Sequence, residues 1–281
     1  MHKPHMLCNA GNRCVNLLTD MSQNAKEDMM KTSACTRDSF LGGRVLIAQP
    51  REGFRAGMDS VLLAASVSPG SERILELGAG VGAAACCVMK NLPAGEMVLV
   101  EKQSEVLELA SFNLQRNGFS KRAMTICLDV TVRGSEREAA GLKTDHFSSV
   151  IANPPFFDTA SGTPSPDTGR ATARQMGADQ LELWVRTAAA SASPGGETIF
   201  IHLASALPNL LAAFANRFGA ITVLPIVPRP DGIASRVLVR GIKGSRAPLK
   251  LLSPLVLHTQ DGRRFNTKTD RIFRGESALL W

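Results

Sequence analysis

Residues 73–82 read Arg-Ile-Leu-Glu-Leu-Gly-Ala-Gly-Val-Gly. Arg73 to Leu77 is a short apolar run of strand length. Three glycines at alternate positions follow it, and the small, apolar stretch from Ala83 to Asn91 has the length of a helix. A strand that runs through a glycine-rich turn into a helix opens a doubly wound α/β sheet. The glycines let the backbone come close to a ligand at the helix N-terminus. A dinucleotide fingerprint, G-x-G-x-x-G, needs a third glycine at position 83, where this chain has Ala83. Glu76 precedes the turn, so the pattern is an acid followed by G-x-G-x-G.

Outward from this turn the chain alternates. Glu96 to Val100 predicts a second strand, Ala123 to Leu128 a third, Phe147 to Ala152 a fourth and Glu197 to Leu203 a fifth. Between them, Ser104 to Asn117 carries apolar residues at helical spacing, with Gly118 at the position just past its end. Leu181 to Ser193 predicts another helix, and Ala204 to Phe218 a further one closed by Gly219. Ile221 to Val227 and Ser235 to Val239 predict a terminal antiparallel pair. Upstream, Asp59 is the expected N-cap of a helix over Ser60 to Val67. Strands alternating with helices imply a mainly parallel sheet covered on both faces.

Chemistry-bearing residues fall at the carboxyl ends of these strands, where ligands of such sheets lie. Glu101 ends the second strand about 20 residues beyond the turn, the place of a carboxylate that accepts two ribose hydroxyls. Asp129 follows the third strand and can accept from an adenine amino group. Asn153-Pro154-Pro155-Phe156 follows the fourth. An exocyclic amine conjugated to a ring is a poor nucleophile because its lone pair is delocalised. The Asn153 side-chain oxygen and the Pro154 carbonyl can each accept one of its N–H groups and pull the nitrogen towards tetrahedral geometry. The double proline stiffens the turn, and Phe156 offers a face on which a base can stack.

The 281 residues are 44% hydrophobic and 20% charged, the composition of a globular chain. No apolar run approaches the roughly 20 residues of a membrane span, so no membrane role is expected. Met1 to Arg37 is polar and mixed, and is expected to be a disordered leader. Cys8, Cys14, Cys35, Cys86, Cys87 and Cys127 show no CxxC spacing and no histidine at zinc-ligand distance. No metal is expected, and the thiols read as small buried or leader residues in a reducing cytoplasm. The net charge is +7. Residues 229–281 hold eleven Lys and Arg against four Asp and Glu, an excess equal to that of the whole chain. A basic stripe at one end suits a polyanionic partner.

The motif set resembles the class I S-adenosylmethionine (SAM) methyltransferases that carry an (N/D)PP(Y/F) motif, from about Phe40 to the C-terminus. The resemblance implies a Rossmann-like α/β fold with a seven-stranded, mainly parallel sheet and helices on both faces. It implies one domain over 38–281 with a basic C-terminal segment. By position, Glu76, Gly78, Gly80, Gly82, Glu101 and Asp129 would bind SAM. Asn153, Pro154, Pro155 and Phe156 would hold the target amine. The flanks are most similar to bacterial tRNA (adenine-N6) methyltransferases, through Gln49-Pro50, Gly53-Phe54-Arg55-Ala56-Gly57 and Asp59, Phe157, Ala173-Arg174 and the closing Pro254 to His258. Phe54, Arg55, Phe157 and Arg174 are the expected substrate-binding residues. His202 and His258 read as histidines of apolar strands, not ligands. The expected protein is a cytoplasmic, monomeric enzyme acting on RNA, with tRNA foremost. Guanine-N2 methylation of ribosomal RNA and N5-methylation of a protein glutamine use a similar planar amine and are the alternatives.

Overall fold

The computed structural model describes residues 35–53, 55–155 and 178–281. The expected leader up to residue 34, the Ser161–Gly169 loop, Cys8, Cys14, Phe54, Phe156, Phe157, Ala173 and Arg174 lie outside them. The chain enters through a hairpin, β1 (Cys35–Phe40) and β2 (Val45–Pro50), so the expected boundary at residue 37 falls inside a strand. Helix α1 (Met58–Ala65) leads to the main sheet. There β3 (Arg73–Leu77), α2 (Ala83–Asn91), β4 (Glu96–Glu101), α3 (Ser104–Arg116), β5 (Ala123–Cys127), α4 (Gly134–Ala139) and β6 (Phe147–Ala152) follow in order. The chain continues through α5 (Ala178–Ser191), β7 (Ala192–Leu203), α6 (Leu207–Ala215), β8 (Phe218–Val227) and β9 (Arg236–Lys243). Two-residue strands β10 (Lys250–Leu251) and β11 (Leu255–Val256) and helix α7 (Thr267–Phe273) close it.

The strand order across the sheet is β5-β4-β3-β6-β7-β9-β8. Strands β3 to β7 run parallel, and β9 inserts antiparallel to both β7 and β8. The seven expected strands are present. The sheet has nine because β10 and β11 both pair with β8, and their two-residue lengths leave no periodicity to read. Each face carries its own core. Leu62, Met89, Ile74, Leu99 and Ile201 pack under the hairpin, α1, α2 and α3. Leu75, Val150, Trp184, Phe200 and Phe214 pack under α5 and α6. Burial on both sides is why the parallel strands read as continuous apolar runs. Fully burying each large side chain contributes about 1.5–3 kcal/mol.

Three sequence expectations change. Helix α1 starts at Met58 with Gly57 at the N-cap and no side-chain cap. Asp59 sits in the first turn and instead pairs with Arg236 Nε at 3.0 Å. Helix α6 ends at Ala215, and Gly219 lies within β8. A Cβ on Gly219 would stand 2.1 Å from the Ser245 carbonyl oxygen, so the glycine answers a close backbone approach, not a helix end. Strand β7 begins at Ala192 and carries Pro194-Gly195-Gly196 within it, beside a register shift against β6. By contrast α2 spans the predicted residues, and Gly118, at φ 78°, follows the α3 C-cap Asn117.

Helix α3 holds the hairpin through two amides. Asn113 Oδ1 accepts from the Ala48 N–H (2.8 Å), and its Nδ2 donates to the carbonyls of Ala48 (2.9 Å) and Val81 (2.9 Å). Asn117 Oδ1 accepts from the Leu46 N–H (3.0 Å) and its Nδ2 donates to the Leu46 carbonyl (2.8 Å). Four residues of helix rise about 6 Å, and two residues of strand about 6.6 Å. The two side chains therefore match alternate residues along β2, and Asn113 also reaches the glycine turn.

Candidate active site

The crossovers after β3 and β4 build the sheet in one direction, and those after β6 and β7 build it in the other. The crevice where the order reverses, between β3 and β6, is where sheets of this kind bind ligands. The glycine turn leaves β3 on one side of it, and Asn153-Pro154-Pro155 leaves β6 on the other. Glu101 and Asp129 follow on the neighbouring β4 and β5. The fold thus gathers Glu76, Gly78, Gly80, Gly82, Glu101, Asp129, Asn153, Pro154 and Pro155 along one rim of four adjacent parallel strands.

In the turn, Gly78, Gly80 and Gly82 all have positive φ (66°, 54° and 74°), a conformation side chains resist. Their surroundings differ. A Cβ on Gly78 would lie 2.3 Å from Trp184 Cη2, and one on Gly82 would lie 3.2 Å from Leu99 Cδ2. Gly80 has nothing within 4 Å of that position, leaving room beside the backbone. Trp184, on α5, thus helps to shape the turn. Sequence reasoning missed it, because a tryptophan in an apolar helix gives no sign of its partner.

The acids are fixed by backbone donors. Glu101 Oε2 accepts from the Gly80 N–H (3.0 Å), and its Oε1 accepts from Lys102 (2.9 Å) and Gln103 (3.0 Å). The carboxylate tethers the turn to β4 and keeps lone pairs for further donors. Asp129 Oδ1 accepts from the Thr131 N–H (2.9 Å) and hydroxyl (2.7 Å), leaving Oδ2 for a ligand. Glu76 is 4% exposed and its Oε2 has no partner. Burial pushes its carboxyl up to about 8; the Ala85 N–H in the first turn of α2 pulls it down, and the Glu101 charge raises it further. A buried carboxylate oxygen without a donor fits a ligand carrying positive charge, as SAM does in its sulfonium and ammonium groups.

Across the crevice, the Asn153 side-chain oxygen is also buried without a partner. Pro154 beside it is buried and Pro155 half-buried.

The segment before α1 braces itself. Arg55 Nη2 pairs with Asp38 Oδ2 (2.7 Å), and its Nη1 donates to the Pro50 carbonyl (2.6 Å). Gln49, 2% exposed, donates to Asp38 (2.8 Å) and accepts from the Ala56 N–H (2.8 Å). Burial alone would raise the Asp38 carboxyl, but the bonds from Gln49, Thr36 and Arg55 outweigh it and hold it below the usual range. The polar groups of Gln49 at the end of β2 and of Arg55 before α1 therefore answer neighbours in the same segment, and Arg55 is part of that brace.

The basic C-terminal residues do not form one stripe. Arg236, Arg240 and Lys243 of β9 are engaged by Asp59, Glu197 and Asp145. Arg246 and Lys250 are exposed where β9 ends and β10 begins, on the opposite rim from the site. Arg229, Arg263, Arg264 and Lys268 are exposed in segments that continue past the carboxyl ends of β8 and β11, on the site's own rim. The antiparallel β9 divides the charge, because it sends alternate connections to opposite rims.

Cys86 and Cys87 are fully buried in α2, where burial raises both thiols, but Cys127 is exposed at the end of β5, contrary to expectation. Among the described residues no group of three or more His, Cys, Asp or Glu could hold a metal. No helix there is long and apolar enough to cross a membrane.

The methyltransferase small domain family matches residues 56–167. The tRNA1(Val) (adenine(37)-N6)-methyltransferase of a Flavobacteriaceae bacterium is 30% identical over 131 residues, 46% of this chain and 51% of that protein. The protein of the same name from Vibrio parahaemolyticus is 29% identical over 146 residues, 52% of this chain and 57% of that one. The human MTRF1L release factor glutamine methyltransferase is 35% identical over 89 residues, 32% of this chain and 25% of that protein. The chain thus spans about half, or less, of the curated relatives it matches. Among solved structures, one described as a predicted O-methyltransferase from Agrobacterium tumefaciens superposes with a TM-score of 0.68 at 35% identity, covering 79% of this chain and 98% of that one. With the strand order and the rim of glycines and acids, this identity shows that the chain belongs to the class I SAM-dependent methyltransferases.

Proposed function

We propose that the protein methylates the exocyclic N6 amine of an adenine in tRNA. The observation that carries this reading is the Asn153 side-chain oxygen, buried and without a partner at the carboxyl end of β6. An acceptor left unsatisfied in the folded chain costs roughly 1–3 kcal/mol. An incoming N–H removes that cost. The Pro154 carbonyl accepts the second N–H, and both acceptors are held by a turn with little freedom. SAM, when bound, supplies the electrophilic methyl group. Glu101 and Asp129 would accept from its ribose and adenine, Glu76 would balance its positive charge, and Gly80 would leave it room. The neutral amine needs no base before it attacks, and its proton is lost afterwards. The expected substrate-binding role of Phe54, Phe156, Phe157 and Arg174 remains part of this proposal, and Arg55 braces the segment before α1.

A glutamine side-chain amide presents a similar planar NH₂, and the short match to release factor glutamine methyltransferases makes it the second reading. Two observations favour RNA. The longer matches carry the tRNA adenine name. Exposed Arg229, Arg263, Arg264 and Lys268 lie past the strand ends on the site's rim, where they would meet phosphates. A tRNA substrate would place a monomeric enzyme in the cytoplasm. The test is transfer of label from radiolabelled SAM to unmodified total tRNA from a strain lacking the protein, followed by nucleoside mass spectrometry. N6-methyladenosine is the expected product. Label confined to ribosomal RNA or to a protein fraction would overturn the reading in favour of guanine or glutamine.

A further inference from the structure

The turn after β6 has an unusual difficulty. Pro154 and Pro155 have no N–H, so at these two positions the turn cannot donate to the sheet and its backbone offers only carbonyls. Its φ angles are fixed at both prolines. Asn153 and Pro154 each precede a proline, which confines their ψ to the extended region. The torsion left loose at the prolines is ψ of Pro155, and the direction of the Pro155 carbonyl reports it.

His202 lies on β7, next to β6. The last paired positions of the two strands are Ala152 and Phe200, and two residues further on each come Pro154 and His202. The imidazole is 4% exposed. Its Nδ1 accepts from the Leu203 N–H at 2.9 Å. It also hydrogen-bonds to the backbone of Pro155, where only the carbonyl is available. A ring that accepts at Nδ1 carries its proton at Nε2, so Nε2–H is the donor to that carbonyl.

We propose that His202 is a positioning residue for methyl transfer: by holding the Pro155 carbonyl it anchors to β7 the far end of the stiff 153–155 unit, which hangs from β6 at its other end, and so keeps Asn153 and the Pro154 carbonyl directed at the target amine. This rests on the reading of Asn153-Pro154-Pro155 as the amine-holding turn, but not on which amine is held. In this proposal the ring acts through the turn and not on substrate or SAM. Burial, aided by the nearby Arg236 charge, lowers the imidazole to about 4. The neutral donor therefore persists across the working pH range, and the Pro155 carbonyl is held in one direction throughout. A surface histidine, changing charge near pH 6.5, would not serve as a constant anchor.

The experiment compares His202→Leu and His202→Gln with the wild-type enzyme. The substrate is whichever RNA or protein fraction the wild type labels, so the choice of amine can fail separately. Gln keeps a donor N–H near the Nε2 position; Leu removes it. We expect His202→Leu to lower kcat by on the order of 100-fold, the scale of a 1 Å misplacement. Its Kd for SAM should stay within about twofold, and His202→Gln should recover most of the loss. Equal kcat for the Leu variant and the wild type would overturn the proposal. So would losses in both variants that merely follow their melting temperatures. Should the Leu variant fail to fold, the ring ¹⁵N spectrum of the wild-type protein decides. An Nε2–H tautomer unchanged from pH 6 to 8 is expected, and an Nδ1–H or titrating ring would overturn the proposal.

Discussion

The two rims of the sheet are built from the same strands but treat polar groups differently. On the amino-terminal rim, charges close on one another. Glu197, 3% exposed, accepts from the Ser68 N–H and hydroxyl and from Arg240. Arg240 also lies over the Trp281 ring, whose Nε1 donates to the Ser66 carbonyl. Lys243 reaches Asp145 and the carbonyls of Ala189 and Ala192. On the carboxyl-terminal rim, Glu76 Oε2 and Asn153 Oδ1 are buried and unanswered. Ser149 and Thr198 hydroxyls are unanswered too, within the strands, but a hydroxyl is less costly to bury than a carboxylate. The contrast separates polar groups that secure the fold from those kept for a ligand.

Four variants test that separation. Asn153→Ala should have the largest effect, lowering kcat by roughly 10³-fold, the upper scale for one preorganised hydrogen-bonding group. SAM affinity by calorimetry should stay nearly unchanged; near-normal turnover would break the amine-holding role. Glu197→Ala should do the reverse. Leaving Arg240 without its buried partner costs about 3–5 kcal/mol of stability in denaturant melts, while kcat per folded molecule is preserved.

Glu76→Gln should act on both properties, in opposite directions. The folded carboxyl, at about 8, sits above its ordinary value of 4.5. Between those pH values the native chain holds a proton that the unfolded chain has released, so the contribution of Glu76 to stability falls as pH rises from 4.5 and is exhausted above 8. Gln removes that dependence. The variant should melt a few degrees higher than the wild type at pH 8 without SAM, yet bind SAM about tenfold more weakly. Lower stability at pH 8 would mean that Glu76 secures the fold. The smallest effect is expected for Arg263→Ala with Arg264→Ala: tRNA binding weakened a few-fold, with a log–log salt slope reduced by about 2. An unchanged slope would remove these residues from the RNA surface.

Sequence pattern exposed the carboxyl-terminal rim better than the amino-terminal one. Glu76, the three glycines, Glu101, Asp129 and Asn153 each lie at or just past the carboxyl end of a strand, so local order was enough to locate them. Strands β3 to β9 were legible from apolar runs, α2 from a small, apolar stretch of helix length, and α3 from periodicity and a closing glycine. The contacts that escaped were between residues far apart in the chain. Glu197 with Arg240, Gly78 with Trp184, Asn113 with Ala48 and His202 with Pro155 each depend on elements packing side by side. Gly219 misled because a glycine after a helical run suggests a helix end, whereas the close Ser245 carbonyl is visible only in three dimensions. The charge of residues 229–281 misled for a related reason: a count along the chain cannot register that β9 reverses direction.

The amide ladder of Asn113 and Asn117 has a consequence for self-association. Among the described residues β2 is one of two strands in its sheet, and Leu46 on it is 40% exposed. Such an edge, with free N–H and C=O groups, is a template on which another chain can add a strand. Here two side-chain amides occupy those groups at Leu46 and Ala48 with the spacing a neighbouring strand would have. The helix that supports the cofactor turn thereby closes this edge of the hairpin to a further strand.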